Sequence, residues 1–122
     1  IAQEEPAGCA VACVASICGA DYKKAKQLFG KHNAWGYICK DIVRALTKSG
    51  KKYSYKYCVG DKSFPIGSIV FIKRSKKYPA GHYLAKTSKG WMDPWINYPK
   101  MFPKAGYRKK LPGKAIYAVF PL

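Results

Sequence analysis

Acidic residues are scarce in this sequence. Its 122 residues include 6 Asp plus Glu against 23 Lys plus Arg, which gives a formal net charge of +17. The imbalance is concentrated in residues 51–122, which hold 16 basic and 2 acidic side chains. Such a surface repels cations and favours a polyanionic partner such as nucleic acid or an anionic envelope. The alternative interpretation is a solvated basic surface that only keeps the protein soluble.

Long hydrophobic runs, repeats and linkers are also missing. The longest apolar stretch, Cys9 to Cys18, falls short of the roughly 18 residues that a membrane span needs. Acidic Glu4 and Glu5 precede it, where a signal peptide has basic residues. The content of 48% hydrophobic and 15% aromatic residues predicts one compact domain over residues 1–122, monomeric and not inserted in a membrane.

Metal-binding motifs are lacking, because no CxxC pair occurs and the two histidines, His32 and His82, are distant in sequence. We therefore predict no metal and no other cofactor. His32 is expected in a surface loop. An odd number of cysteines cannot form a complete set of disulfides, so we expect free thiols and a reducing working compartment. These cysteines are Cys9, Cys13, Cys18, Cys39 and Cys58.

Helical periodicity dominates the first fifty residues. The segment from Cys9 to Cys18 predicts a helix buried on nearly all sides and ended by Gly19. Asp21 is a suitable N-cap for a second helix that ends near Gly30. Apolar residues at helical spacing predict a third helix from Tyr37 to Ser49.

After Gly50 the pattern changes to extended structure. Residues 94–112, rich in Pro, Lys and aromatics, predict a long ordered loop. Helices first and strands after them predict an α+β domain with a helical layer on an antiparallel sheet. The predicted strands are Lys52 to Val59, Ser68 to Ile72, His82 to Lys86, Trp91 to Asp93 and Ala115 to Phe120.

Four polar residues form a candidate catalytic site. Cys9 follows Gly8 at the expected start of the first helix, where free N–H groups favour a thiolate. His82 begins a predicted hairpin and Asp93 ends it, so the carboxylate can orient the imidazole. Gln3, six residues before Cys9, can donate a hydrogen bond to an oxyanion.

Each of these residues also has a purely structural interpretation. Cys9 could be a thiol of the core, and His82 an ordinary strand histidine. Asp93, which precedes a proline, could simply form a turn. Gln3 lies close to the first residue, where chains are often poorly ordered.

Aromatic and basic residues alternate in the second half of the chain, as in proteins that stack bases and bind phosphates. Packing within the loop is the alternative explanation. The predicted substrate-binding residues are Lys86, Lys89, Trp91, Trp95, Arg108, Lys109 and Lys110.

The order of these motifs resembles papain-like cysteine peptidases, and in particular the branch that processes bacteriocin leaders. The resemblance lies in Gln3, in Gly8-Cys9 followed by an apolar helix, in Gly81-His82-Tyr83-Leu84 and in Asp93-Pro94. It covers nearly the whole chain. It implies a papain-like fold with Cys9 as nucleophile, His82 as general base, Asp93 as the orienting carboxylate and Gln3 in the oxyanion hole.

The same fold is used by toxin domains at the C-terminal ends of bacterial polymorphic and contact-dependent effectors. This small, basic chain, which starts at Ile1 rather than Met, resembles such a domain. The resemblance implies a ribonuclease toxin that is secreted or surface-delivered and cleaves tRNA or other RNA in the cytoplasm of a target bacterium. It also implies an immunity protein, expected to be acidic. The alternatives are a cysteine peptidase or amide hydrolase, and a non-catalytic basic module that binds nucleic acid.

Overall fold

The computed structural model of the protein describes residues 1–4, 7–30 and 36–122. His32, which the sequence predicts at the surface, lies outside the described residues.

Three helices come first in the chain: α1 (Cys9–Cys18), α2 (Tyr22–Phe29) and α3 (Cys39–Lys48). Because α1 consists almost entirely of small apolar residues, it has no polar side to expose, and six of its ten residues are buried. Asp21 caps α2 by accepting a hydrogen bond of 2.8 Å from the backbone N–H of Lys24. None of the helices in the described ranges is both long and apolar enough to cross a bilayer.

Six strands then form one sheet in the order β1-β6-β2-β3-β4-β5, and every neighbouring pair is antiparallel. The predicted α+β architecture, with helices before strands, is confirmed. The strands are β1 (Tyr53–Tyr57), β2 (Ile69–Ile72), β3 (His82–Thr87), β4 (Gly90–Asp93), β5 (Gly106–Arg108) and β6 (Ala115–Pro121).

Alternation along the strands divides the apolar residues between two cores. Tyr83 and Ala85 of β3 belong to the larger core, between the helices and the sheet. Leu84 points to the other side, where a smaller core includes Tyr78 and Trp91. Since side chains on one side of a strand recur every second residue, His82 shares the side of Leu84.

Several predicted strand ends are shifted by one or two residues, and two further differences have a physical cause. The third helix begins at Cys39 rather than Tyr37, because Ile38 has an extended backbone and its N–H donates to the Asp41 carboxylate at 3.0 Å. The predicted loop over residues 94–112 contains strand β5, whose Gly106 pairs with Asp93. A three-residue strand is too short for a period-two pattern to reveal it.

Gly81, directly before His82, closes the loop between β2 and β3. Its φ of +78° lies in the left-handed region, and a Cβ at this position would overlap the Phe71 ring. Glycine is therefore required twice, once by the backbone conformation and once by the packing.

We predict that Gly81→Ala lowers the free energy of unfolding by about 2 to 4 kcal/mol, because a strained φ and steric overlap add together. The matched control is Gly60→Ala, where φ is +93° but no atom lies within 4 Å of the added Cβ. Urea denaturation measures both variants. Equal losses for the two variants would contradict the steric contribution at Gly81.

Candidate active site

The carboxylate of Asp93 is the centre of the site. Asp93 is completely buried, and both of its oxygens are engaged. Oδ1 lies 2.7 Å from Nε2 of His82 and accepts a hydrogen bond of 2.9 Å from the backbone N–H of Trp95. Oδ2 accepts a hydrogen bond of 2.7 Å from Nε of Arg108. Three donors thus compensate one buried charge.

The β3–β4 hairpin brings His82 and Asp93 together. Ala85 pairs with Met92, and continuing that register places Leu84 opposite Asp93. His82 is then the diagonal neighbour of Asp93 on the same side of the sheet, within reach of a side-chain contact. The sequence predicted this juxtaposition from the hairpin alone.

Tyr78 holds the imidazole from a second direction. Its ring stacks on that of His82 with centroids 4.8 Å apart and an interplanar angle of 2°. Its hydroxyl accepts a hydrogen bond of 3.4 Å from Nη2 of Arg108. Sequence reasoning missed Tyr78, because no local pattern distinguishes it from the other nine tyrosines.

Cys9 is the first residue of α1 and is half-buried. It lines a cavity of about 310 Å³ together with His82 and Gln3. An interaction with the Cys9 thiol contributes to the raised pKa of the His82 ring. Because Nε2 of His82 is engaged by Asp93, Nδ1 is the ring nitrogen left for Cys9. The thiol, the imidazole and the carboxylate therefore lie together at one site.

The groups around His82 favour its charged form. Burial alone would lower the pKa of His82, but the hydrogen bonds with Asp93 and Cys9 raise it to about 9. Burial alone would raise the pKa of Asp93, but hydrogen bonds, first from His82 and then from Arg108, lower it. His82 is therefore an imidazolium at neutral pH. In this form His82 can serve as a charged partner and proton donor. The role of general base stays a prediction.

Gln3 is ordered and buried. Its backbone N–H donates a hydrogen bond of 3.1 Å to the carbonyl of Pro94, directly after Asp93. Gln3 and Cys9 line the same cavity. The predicted neighbourhood of Gln3 and Cys9 is therefore present, and the position of Gln3 is compatible with the role in an oxyanion hole.

The five cysteines differ in their surroundings. All are free thiols. Burial raises the pKa of the Cys13, Cys39 and Cys58 thiols, which leaves them protonated at neutral pH. Cys18 is half-buried like Cys9 but lies at the opposite end of α1. Among the described residues no group of three or more His, Cys, Asp and Glu side chains is placed to hold a metal ion.

Three of the predicted substrate-binding residues have structural contacts instead. Trp91 is only 7% exposed and packs edge-on against Phe64, so its face is not available to stack on a base. Arg108 binds Asp93 rather than a phosphate. Trp95 does line the cavity that contains Cys9 and His82, and its Nε1 donates to the carbonyl of Lys100 at 2.9 Å.

The four predicted lysines lie away from the site. Lys86 is four residues along β3 from His82, roughly 13 Å at the rise of a strand, and its ammonium lies over Trp91. Lys89 lies in the turn between β3 and β4. Lys109 and Lys110 follow β5 towards the same turn, because Arg108 pairs with Trp91. The structure does not bring these lysines to Cys9 and His82.

No family model matches this chain, and no curated protein matches it in sequence. Among solved structures, the peptidase domain of Streptococcus ComA is similar in three dimensions. ComA is described as a bifunctional ABC transporter involved in a quorum-sensing pathway. The match has a TM-score of 0.64 at 19% sequence identity and covers 98% of this chain and 94% of that domain. The papain-like fold predicted from the sequence is confirmed.

We predict that Arg108→Gln destabilises the protein by about 2 kcal/mol, because it removes a charge-assisted hydrogen bond from a buried carboxylate. The matched control is Lys110→Gln, which replaces a nearby exposed cation. It should change stability by less than about 0.5 kcal/mol. Chemical denaturation measures both variants. If the two variants are equally stable, Arg108 does not stabilise Asp93.

We also predict that iodoacetamide modifies Cys9 faster than Cys18. Both thiols are half-buried, but Cys9 is next to an imidazolium and at the positive end of the α1 dipole, where a thiolate is stabilised. Mass spectrometry of tryptic peptides at early times measures the two rates. A faster reaction at Cys18 would show that position on the helix does not activate Cys9.

Proposed function

We propose that this chain is a hydrolase in which Cys9, His82 and Asp93 act together, with Cys9 as the nucleophile that attacks a peptide or other amide bond. The observation that carries the proposal is that Cys9 and His82 line the same cavity, while His82 contacts the buried Asp93 at 2.7 Å. A nucleophile, a proton donor and an orienting carboxylate in hydrogen-bond contact are the minimum set for acyl transfer through sulfur.

The chemical steps follow from the charges of the pair. The Cys9 thiolate attacks the carbonyl carbon, and the carbonyl oxygen takes the negative charge. The His82 imidazolium gives its proton to the leaving amine, and a thioester remains on Cys9. Neutral His82 then takes a proton from water, which attacks the thioester and releases the acid. The thiolate and imidazolium are thereby restored.

Two groups are suited to hold the oxyanion. The backbone N–H groups in the first turn of α1 have no partner within the helix, and Gln3 faces the same cavity as Cys9. Fixed donors aimed at developing charge contribute about 3 kcal/mol each to acyl transfer. Gln3 is thus proposed as a catalytic residue in addition to the three others.

RNA cleavage is the second candidate, and the distribution of charge favours it. The loop that lines the catalytic cavity also carries Lys73, Arg74, Lys76 and Lys77, all exposed. Cations on a loop beside a cavity attract phosphodiesters more strongly than neutral peptides. This candidate corresponds to the ribonuclease toxin that the sequence predicts.

The same pair of side chains can cleave RNA without a covalent intermediate. The Cys9 thiolate takes the proton of a ribose 2′-OH, and the 2′ oxygen attacks the phosphorus. The His82 imidazolium protonates the departing 5′ oxygen. The products carry a 2′,3′-cyclic phosphate and a 5′-OH. Cys9 would be the base and His82 the acid, whereas the resemblance implies His82 as general base.

In this second form the protein would be an antibacterial effector domain. A tRNA or another RNA of the target cell would be its substrate, and an acidic immunity protein would neutralise it in the producing cell. Charge complementarity supports such a partner, since the protein has a net charge of +17.

The deciding experiment incubates the purified protein with a mixed peptide library and, separately, with total RNA. We expect the wild-type protein to hydrolyse one of the two substrates. The rate of hydrolysis should fall at least 100-fold in Cys9→Ala and in His82→Ala, because each substitution removes a proton-transfer group or the nucleophile. Cys18→Ala is the matched control and should retain activity. Peptide products support the first candidate, and RNA with cyclic phosphate ends supports the second.

Either activity should decline at high pH. The imidazolium of His82 persists up to its pKa of about 9, so protonation of the leaving group is lost as the pH rises through that value. We expect kcat/KM to fall tenfold per pH unit above about pH 9. A profile that instead keeps rising through pH 9 would contradict a protonated His82 in the active form.

Hydrolysis of neither substrate would favour the non-catalytic binding module.

A further inference from the structure

The loop between β2 and β3 carries the densest run of positive charge near the active site. We call residues 73–77, with the sequence Lys-Arg-Ser-Lys-Lys, the cationic rim. All five of its residues are exposed. Within the described ranges, the ion pairs of the protein involve other cations, and no carboxylate neutralises the cationic rim.

The cationic rim starts next to the catalytic histidine. Ile72, the last residue of β2, pairs with His82, the first residue of β3, so the loop leaves and re-enters the sheet at the end where His82 lies. Residues 78–81, which follow the rim, line the catalytic cavity. The loop that carries the cationic rim therefore also supplies part of the wall of that cavity.

Hydrogen bonds hold the loop in shape. The N–H of Ser75 donates to the carbonyl of Tyr78 at 3.0 Å, and the Ser75 hydroxyl accepts from the N–H of Tyr78 at 3.1 Å. The ammonium of Lys77 lies 5.5 Å from the centre of the Tyr78 ring, the ring that stacks on His82. The charges are thus presented on a defined turn that is tied to the site.

An aromatic groove adjoins the cationic rim. It has a volume of about 520 Å³ and shares Tyr83, Phe71 and neighbouring residues with the catalytic cavity. Arg74 lines it from the rim. Tyr55 and Tyr117, which are 46% and 41% exposed, also line it. Exposed rings beside unpaired cations are the combination that binds single-stranded nucleic acid.

We infer that the cationic rim binds the phosphate backbone of single-stranded RNA, that the adjoining aromatic groove receives bases, and that the strand is thereby led to Cys9 and His82. This inference rests on the RNA-cleaving form of the proposed function. It places the RNA-binding surface on the β2–β3 loop instead of the β3–β4 hairpin and the residues after β5, where the sequence predicted it.

RNA fits this surface better than an acidic peptide does. Both would satisfy the charges, but only RNA also supplies a flat base for each phosphate, and the groove offers tyrosine rings at its edge. An acidic peptide would leave these rings without a stacking partner. The acidic peptide is therefore a separate outcome of the test.

The test measures binding in a Cys9→Ala background, so that neither RNA nor peptide is cut and binding is independent of catalysis. The rim variant is Lys73→Gln, Arg74→Gln, Lys76→Gln and Lys77→Gln. The matched control is Lys86→Gln, Lys89→Gln, Lys109→Gln and Lys110→Gln, which removes the same charge far from the cavity. The probes are a labelled 12-nucleotide single-stranded RNA and a labelled 12-residue Glu-rich peptide.

We expect the rim variant to bind the RNA at least tenfold more weakly than the parent, and the control variant to stay within about threefold. The slope of log K against log salt should fall by about 2 to 3 in the rim variant, because each phosphate contact contributes roughly 0.7 for a single strand. Thermal melting checks the fold of each variant. If the rim variant has a lower melting temperature than the parent, the double variant Lys73→Gln with Lys76→Gln replaces it. The expected change in the slope of log K against log salt is then half as large.

Three results would overturn the inference: equal losses in the rim and control variants, tighter binding of the acidic peptide than of the RNA, or no RNA binding by the parent at low salt. Loss of binding in the rim variant alone supports it. A protein that binds RNA through the rim but cleaves nothing would refute the proposed function and leave this binding surface intact.

Discussion

The buried carboxylate of Asp93 is the constraint around which the site is built. A carboxylate without access to water is tolerated only if its charge and its lone pairs are compensated. Here the compensation comes from three positions, the ring of His82, the backbone after Asp93 and the guanidinium of Arg108. The short strand β5 places Arg108 beside Asp93. This three-residue strand therefore helps to stabilise the buried charge.

The same carboxylate favours the charged form of His82, the neighbour of Cys9. By keeping the imidazole protonated, Asp93 gives the Cys9 thiol a cation as its neighbour. Such a pair contains an acceptor and a donor of protons at the same pH. The pair does not itself choose between a carbonyl carbon and a phosphorus. That choice depends on which substrate the surrounding surface concentrates, and here the surface is strongly positive.

Much of the architecture could be predicted from the sequence, because local patterns determine it. An apolar segment with Gly19 at its end gives α1, and the alternating runs after Gly50 give the larger strands. The juxtaposition of Cys9, His82 and Asp93 could be predicted because each occupies the start or end of such an element. Arg108 and Tyr78 are different, since their roles arise from long-range packing. A lone arginine in a basic loop gives no local signal that it faces a buried carboxylate.

The site also combines contacts of very different sequence separation. Asp93 is 11 residues from His82 and 15 from Arg108, so this part lies within one short stretch of chain. Cys9 precedes His82 by 73 positions and reaches it only when α1 is docked against β3. Long-range contacts of this kind carry the largest loop-closure cost and need the assembled core. The arrangement of Cys9, His82 and Asp93 therefore exists only in the folded molecule, and a chain that is threaded through a narrow passage in an extended form lacks it until it refolds.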